Sequence, residues 1–132
     1  MTLDEIAKAA AAAHLTPLGG VHNDGQTIVL LGPREPAFWA FVKTEPEFSD
    51  KQPDPMDRWS ARVITGLADG LGARAVFPFG GPPFYPFISW ALHSNECWQS
   101  PVGLLVHKDA GLLVSYRGAL VFDRLLELPE AG

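Results

Sequence analysis

Residues 54 to 72 constrain the fold more than any other stretch of the chain. Asp54-Pro55-Met56-Asp57 sets an acid ahead of a proline, places a second acid in the turn that follows, and is closed eighteen residues later by Gly72. An aspartate N-cap satisfies free N–H groups, proline at the first helical position needs no donor, and glycine takes the left-handed conformation that ends a helix. Between these signals Met56, Trp59, Val63, Leu67 and Leu71 recur at helical spacing. The pattern predicts a helix over 55–71 with one apolar side, which has to be buried against other elements.

The segments around it read as two hairpins interleaved with short helices. Thr2-Leu3-Asp4-Glu5 is a capping box, and Leu3, Ile6, Ala10 and Ala13 share a face, so residues 3 to about 14 are expected to be helical. Asn23-Asp24-Gly25 separates the apolar runs 17–22 and 26–31, and these residue types accept the positive φ of a tight hairpin turn. Pro36 is expected at the first position of a short aromatic helix that carries Phe38, Trp39 and Val42 and runs to about Lys43. Residues 45–53 read as a loop, 73–77 as a buried strand, 79–84 as an irregular loop and 86–93 as one or two helical turns. Residues 102–106 and 112–122 are β-rich around a 107–111 loop and read as a second hairpin. Together these give an α+β class, an antiparallel sheet covered by helices in one domain of 132 residues. The dinucleotide-binding alternative requires a glycine-rich turn between strand and helix, and none is present.

Charge and cysteine usage narrow the function. Ten Lys and Arg against 15 Asp and Glu give a formal charge of −5 with no basic run, which disfavours nucleic acid as a partner. No apolar stretch approaches the roughly 20 residues of a membrane span, and the first helix opens on Asp4 and Glu5 rather than on the basic start of a signal peptide, so a cytoplasmic protein without a membrane partner is expected. Cys97 is the single cysteine, so an iron–sulfur cluster or a cysteine-built zinc site from this chain alone is excluded.

Gly19-Gly20 and Gly80-Gly81 lack the Lys-Ser/Thr of a phosphate loop and read as turns. His93, Cys97 and His107 have a conceivable metal-ligand spacing, but a fourth ligand is missing and Ser100-Pro101 interrupts them, so no metal site is assigned. No catalytic residue is assigned either. The segment 77–98 is different: it carries four Phe, one Tyr and two Trp in a proline-rich stretch, where a pocket wall competes with plain loop packing. Arg117, after the apolar strand and Tyr116, needs a counter-charge or a ligand, and the competing readings are a cofactor contact or an ion pair with Asp57, Asp123 or Glu127.

The stretch from Ser100 to Leu120, with His107-Lys108-Asp109-Ala110-Gly111-Leu112 and Tyr116-Arg117-Gly118 in it, resembles the His-Pro-x-Tyr-Gly-x-Trp-x-x-x-Arg-Gly type segment of cobalamin-processing proteins and epoxyqueuosine reductases. Lys108, Ala110 and Leu112 stand where that segment has Pro, Tyr and Trp. Asp54-Pro55-Met56-Asp57-Arg58-Trp59 and Pro78-Phe79-Gly80 resemble the same group, in a branch labelled ferredoxin-like, over about residues 30 to 125. The resemblance implies half of a nitroreductase-like α+β fold, cobalamin without its lower base as cofactor, and a redox setting. The chain is then the first half of a longer iron–sulfur redox protein, or one that has lost the redox function. The cofactor-binding residues selected by these readings are Phe84, Tyr85, Trp90, Trp98, Ser100, His107, Tyr116 and Arg117. Two other readings stay open: a non-catalytic interaction domain that docks on a redox partner or forms a homodimer, and a flavin-binding relative of the nitroreductases.

Overall fold

A computed structural model of the chain describes residues 1–79, 85–94, 97–99, 105–107 and 116–128. The elements in chain order are α1 (Leu3–Ala11), β1 (Leu15–Asn23), β2 (Gln26–Pro33), α2 (Phe38–Val42), a 3-10 turn (Pro46–Phe48), α3 (Pro55–Leu71), β3 (Arg74–Val76), α4 (Phe87–His93), β4 (Cys97–Gln99), β5 (Leu105–His107) and β6 (Gly118–Phe122). Four strands form one sheet in the order β1-β2-β6-β3, with every neighbouring pair antiparallel, and β4 pairs with β5 in a separate two-stranded ribbon. The α+β architecture with an antiparallel sheet is therefore present. No described helix is long and apolar enough to cross a membrane.

The first hairpin forms where its turn residues require it. Asp24 and Gly25 both have positive φ, 52° and 80°, which matches the turn twist to the strands and puts Asn23 opposite Gln26. Strand β2 is apolar without alternation because both of its faces are covered. Val29 and Leu31 enter a core shared with Ile6, Leu15, Trp59, Ile64, Leu120 and Phe122, while Ile28 and Leu30 enter another with Val21, Ala119, Val121 and Phe87. Helices α1, α2 and α3 contribute to the first core, and α4 covers the second.

Helix α3 has the bounds its sequence signals predict, and Gly72 closes it at φ 70°. Its start is built differently. Asp54 sits at φ 53°, ψ 52°, and its side chain makes no capping hydrogen bond, so the entry to the helix is fixed by the surrounding loop instead. Arg58 does that work: its Nε donates to Pro53 O at 2.7 Å, Nη1 to Asp50 Oδ2 at 2.6 Å, and Nη2 to Gln52 O at 3.1 Å. The buried residues of α3 are Trp59, Ser60, Ile64 and Ala68, with Met56, Val63, Leu67 and Leu71 packed along the margin. The apolar stripe is thus wider than the five residues that signalled it, since alanine and serine can sit closest to the sheet without side-chain bulk.

Other boundaries move as well. Helix α1 ends at Ala11, and His14 at φ 56° turns the chain into β1. Pro36 lies in the turn ahead of α2, whose first residue is Phe38. Residues 105–107 pair with 97–99, and β6 pairs with β2 and β3. Residues 101–104 and 108–115, which carry most of the expected hairpin between 102–106 and 112–122, lie outside the described residues.

Candidate functional site

Helix α4 is seated on the sheet by Phe87, which is 6% exposed and packs among Val21, Ile28, Leu30, Ala119 and Val121. Three residues on, Trp90 lies with its ring centroid 5.2 Å from Phe87 and 6.1 Å from Tyr85. Residues three or four apart share a helix face, so Trp90 continues the apolar contact outward while Ser89 and His93, four apart, face a second direction together. That direction opens onto the end of β1. A cleft of about 620 Å³ runs between the two elements, lined by Gly20, Val21, His22 and Asn23 on the strand side and by Pro86, Ser89, Trp90, His93 and Ser94 on the helix side.

The third wall is Leu128, at the end of a segment that folds back over the first hairpin. Its path is fixed by hydrogen bonds. Gln26 donates to Asp123 Oδ1 at 2.6 Å, the Thr27 hydroxyl donates to Arg124 O and accepts from Leu126 N–H, both at 2.8 Å, and His22 Nε2 donates to Leu126 O at 2.6 Å. Gly20 makes room for the last residue of this segment, because a Cβ there would stand 2.8 Å from Leu128 Cδ2.

The chemistry of the lining is uniform. Among the described residues that line the cleft there is no carboxylate, lysine or arginine; the polar groups are two imidazoles, two hydroxyls and one carboxamide beside the Trp90 indole. Such a set gives and accepts hydrogen bonds without fixed charge, which suits a neutral, amide-bearing or aromatic ligand and leaves a phosphate without a cation. The volume lies within the roughly 300–1,000 Å³ of ordinary small-molecule sites.

A set of ion-paired side chains instead joins the loop before α3 to that helix. Arg62 donates to Glu47 Oε2 at 2.7 Å and Oε1 at 3.0 Å, and Trp59 Nε1 donates to Glu45 Oε1 at 3.0 Å. The Arg62 hydrogen bond holds the Glu47 carboxyl below its usual range, and the Arg58 hydrogen bond does the same for Asp50. Carboxylates held ionised by bonded guanidinium groups are poor proton carriers near neutral pH, and their role here is to strap the loop to the helix.

Of the residues selected from sequence, Tyr85 and Trp90 come together, Tyr116 packs against the same buried cluster, and Trp90 is the one among the described lining residues of the cleft. Arg117 parts from Tyr116: its Nη1 donates to Asp57 Oδ1 on α3 at 3.3 Å, which is the ion pair weighed against a cofactor contact. Trp98 and His107 are placed on β4 and β5, where Trp98 opposes Val106 and His107 opposes Cys97. Phe84 and Ser100 lie outside the described residues. Sequence reasoning missed His22, Asn23, Ser89 and Leu128. No local signal marks them, because the cleft exists only once antiparallel pairing brings the end of β1 beside α4. Comparison of the chain with protein-family models, with curated proteins and with solved structures finds no match.

Proposed function

We propose that this chain is a cofactor-binding domain of the cobalamin-processing type, which holds one side of a large planar, amide-rimmed cofactor in the cleft between β1 and α4. The observation that carries this reading is the uncharged polar lining beside Trp90. A corrinoid presents a flat ring edged with carboxamides, which Asn23, Ser89 and Ser94 can meet as donors or acceptors while the indole covers apolar ring surface. A complete corrinoid is larger than the cleft, so the ring would be gripped along one side with the rest against solvent or a partner. The metal of such a cofactor supplies redox chemistry when bound; this chain's residues bind and orient it. Flavin is the weaker ligand choice, since its phosphate calls for basic groups that the described lining lacks.

The test is a titration with hydroxocobalamin, with flavin mononucleotide in a parallel series, followed by absorption and by thermal melting. The expected result is a saturable change in the corrinoid spectrum and a rise in Tm with cobalamin alone, since a ligand at about 100 Kd stabilises the folded state by about 2.7 kcal/mol. No spectral change and no shift in melting with cobalamin would overturn the reading, and a concentration-dependent dimer under the same conditions would favour the interaction-domain alternative.

A further inference from the structure

His93 ends the helix that walls the cleft, and its ring is held by that same helix. Nδ1 lies 2.7 Å from the carbonyl oxygen of Ser89, one turn back. A carbonyl can only accept, so in the neutral ring Nδ1 carries the hydrogen and the lone pair is on Nε2. Histidines that bind metals are commonly held this way, with the second nitrogen donating to a carbonyl that fixes the tautomer and makes the free nitrogen more basic. His22 is fixed in the opposite sense, since its Nε2 donates to Leu126 O and leaves the lone pair on Nδ1. Nδ1 adjoins the residue's own Cβ and backbone, so a broad flat complex approaches it poorly, whereas Nε2 is at the tip of the ring.

A single imidazole does not hold a free ion, and among the described residues no group of three His, Cys, Asp or Glu could hold one. One imidazole is enough when the metal arrives already ringed by four in-plane donors and needs only an axial ligand. The surroundings fit a flat complex of that kind, with Trp90 one turn before His93 on the same helix and both residues lining the cleft.

We infer that His93 Nε2 is an axial ligand to the metal of a macrocyclic cofactor seated in this cleft. The inference rests on the cofactor-binding reading above and goes beyond it by naming the donor atom. The step is a ligand substitution: the Nε2 lone pair forms a bond to the metal as a metal–water bond breaks, the water leaves, and the oxidation state is unchanged.

Diaquocobinamide is the probe, because this corrinoid has no lower base and any axial nitrogen must come from the protein. Retention of the probe on gel filtration reports binding, and electron paramagnetic resonance after reduction to cobalt(II) reports the axial atom. The wild-type chain is expected to retain cobinamide and to split each cobalt line into the three-line pattern of one nitrogen. His93→Ala, melting as the wild type does, is expected to bind on the order of tenfold or more weaker, the scale on which metal sites respond to loss of support. It should lose the splitting and regain it with added imidazole. Retention by the wild type without nitrogen splitting, or splitting that survives His93→Ala, overturns the His93 assignment and leaves the binding reading intact. No retention by the wild type overturns both.

Discussion

The two faces of one sheet are finished differently. On the face covered by α1, α2 and α3, Ile6, Leu15, Val29, Leu31, Trp59, Ile64, Leu120 and Phe122 are all at 0% exposure, and the loop before α3 is strapped down by Arg58 and Arg62. On the face covered by α4 the strand residues are buried, but the aromatic residues over them, Tyr85, Trp90 and Tyr116, are only partly so, and a cleft opens at their margin. On the first face these described core residues are fully buried, and their burial contributes stability. Among the described residues the second face is covered by α4, which keeps enough core to hold that helix, and the cleft at its margin is where the proposed cofactor would bind.

Truncating one tryptophan on each face should have very different consequences. Trp59→Ala removes a fully buried side chain and strands Glu45 without its indole donor, so a loss of about 3–5 kcal/mol in chemical denaturation is expected. Trp90→Ala removes a partly exposed ring whose aromatic contacts are worth about 0.5–1.5 kcal/mol beyond area burial. Its stability loss should be well under half that of Trp59→Ala, while its cobalamin affinity falls severalfold. Equal stability losses from the two variants would mean that the second face is core as well.

Arg117 sharpens the contrast from the other side. Its guanidinium pairs with Asp57 at the start of α3, and its buried Nε has no hydrogen-bond partner among the described residues. Arg117→Ala is expected to lower stability by about 1 kcal/mol, the upper range of partly exposed ion pairs, and to leave cobalamin affinity within twofold of wild type. A large loss of affinity in a titration of this variant would return Arg117 to the ligand.

The smallest effect expected is one of pH, and it concerns the loop before α3. Glu47 has its folded-state pKa lowered, first by the Arg62 hydrogen bond, so its contribution to stability is complete above the unfolded carboxylate value and is lost as pH falls through the folded one. Chemical denaturation across pH 3 to 7 should therefore show weaker acid sensitivity in Glu47→Gln than in the wild type. An identical pH slope in both chains would remove Glu47 from the account.

What the sequence shows follows the same division. Helix α3, the Asp24-Gly25 hairpin and the α+β class were legible because each rests on local rules, namely helical periodicity, a glycine C-cap and positive-φ turn residues. The cleft was legible through Trp90 and through His93, which was weighed as a metal ligand and not assigned. His22 and His93 are 71 positions apart and meet across it because β1 is an edge strand of the sheet and α4 packs on that side, a non-local outcome that no spacing encodes. The same holds for the β4–β5 ribbon: strand propensity at 105–107 was visible, but its choice of partner at 97–99 was not.

Amide chemical shifts measured by NMR during addition of hydroxocobalamin would compare the two faces within one sample. The expected result is a saturable set of changes at Gly20 to Asn23 and at Ser89 to Ser94, with Trp59, Ile64 and Ala68 unmoved. Changes confined to α3 and the loop before it, or no changes at saturating cobalamin, would contradict the assignment of binding to the second face.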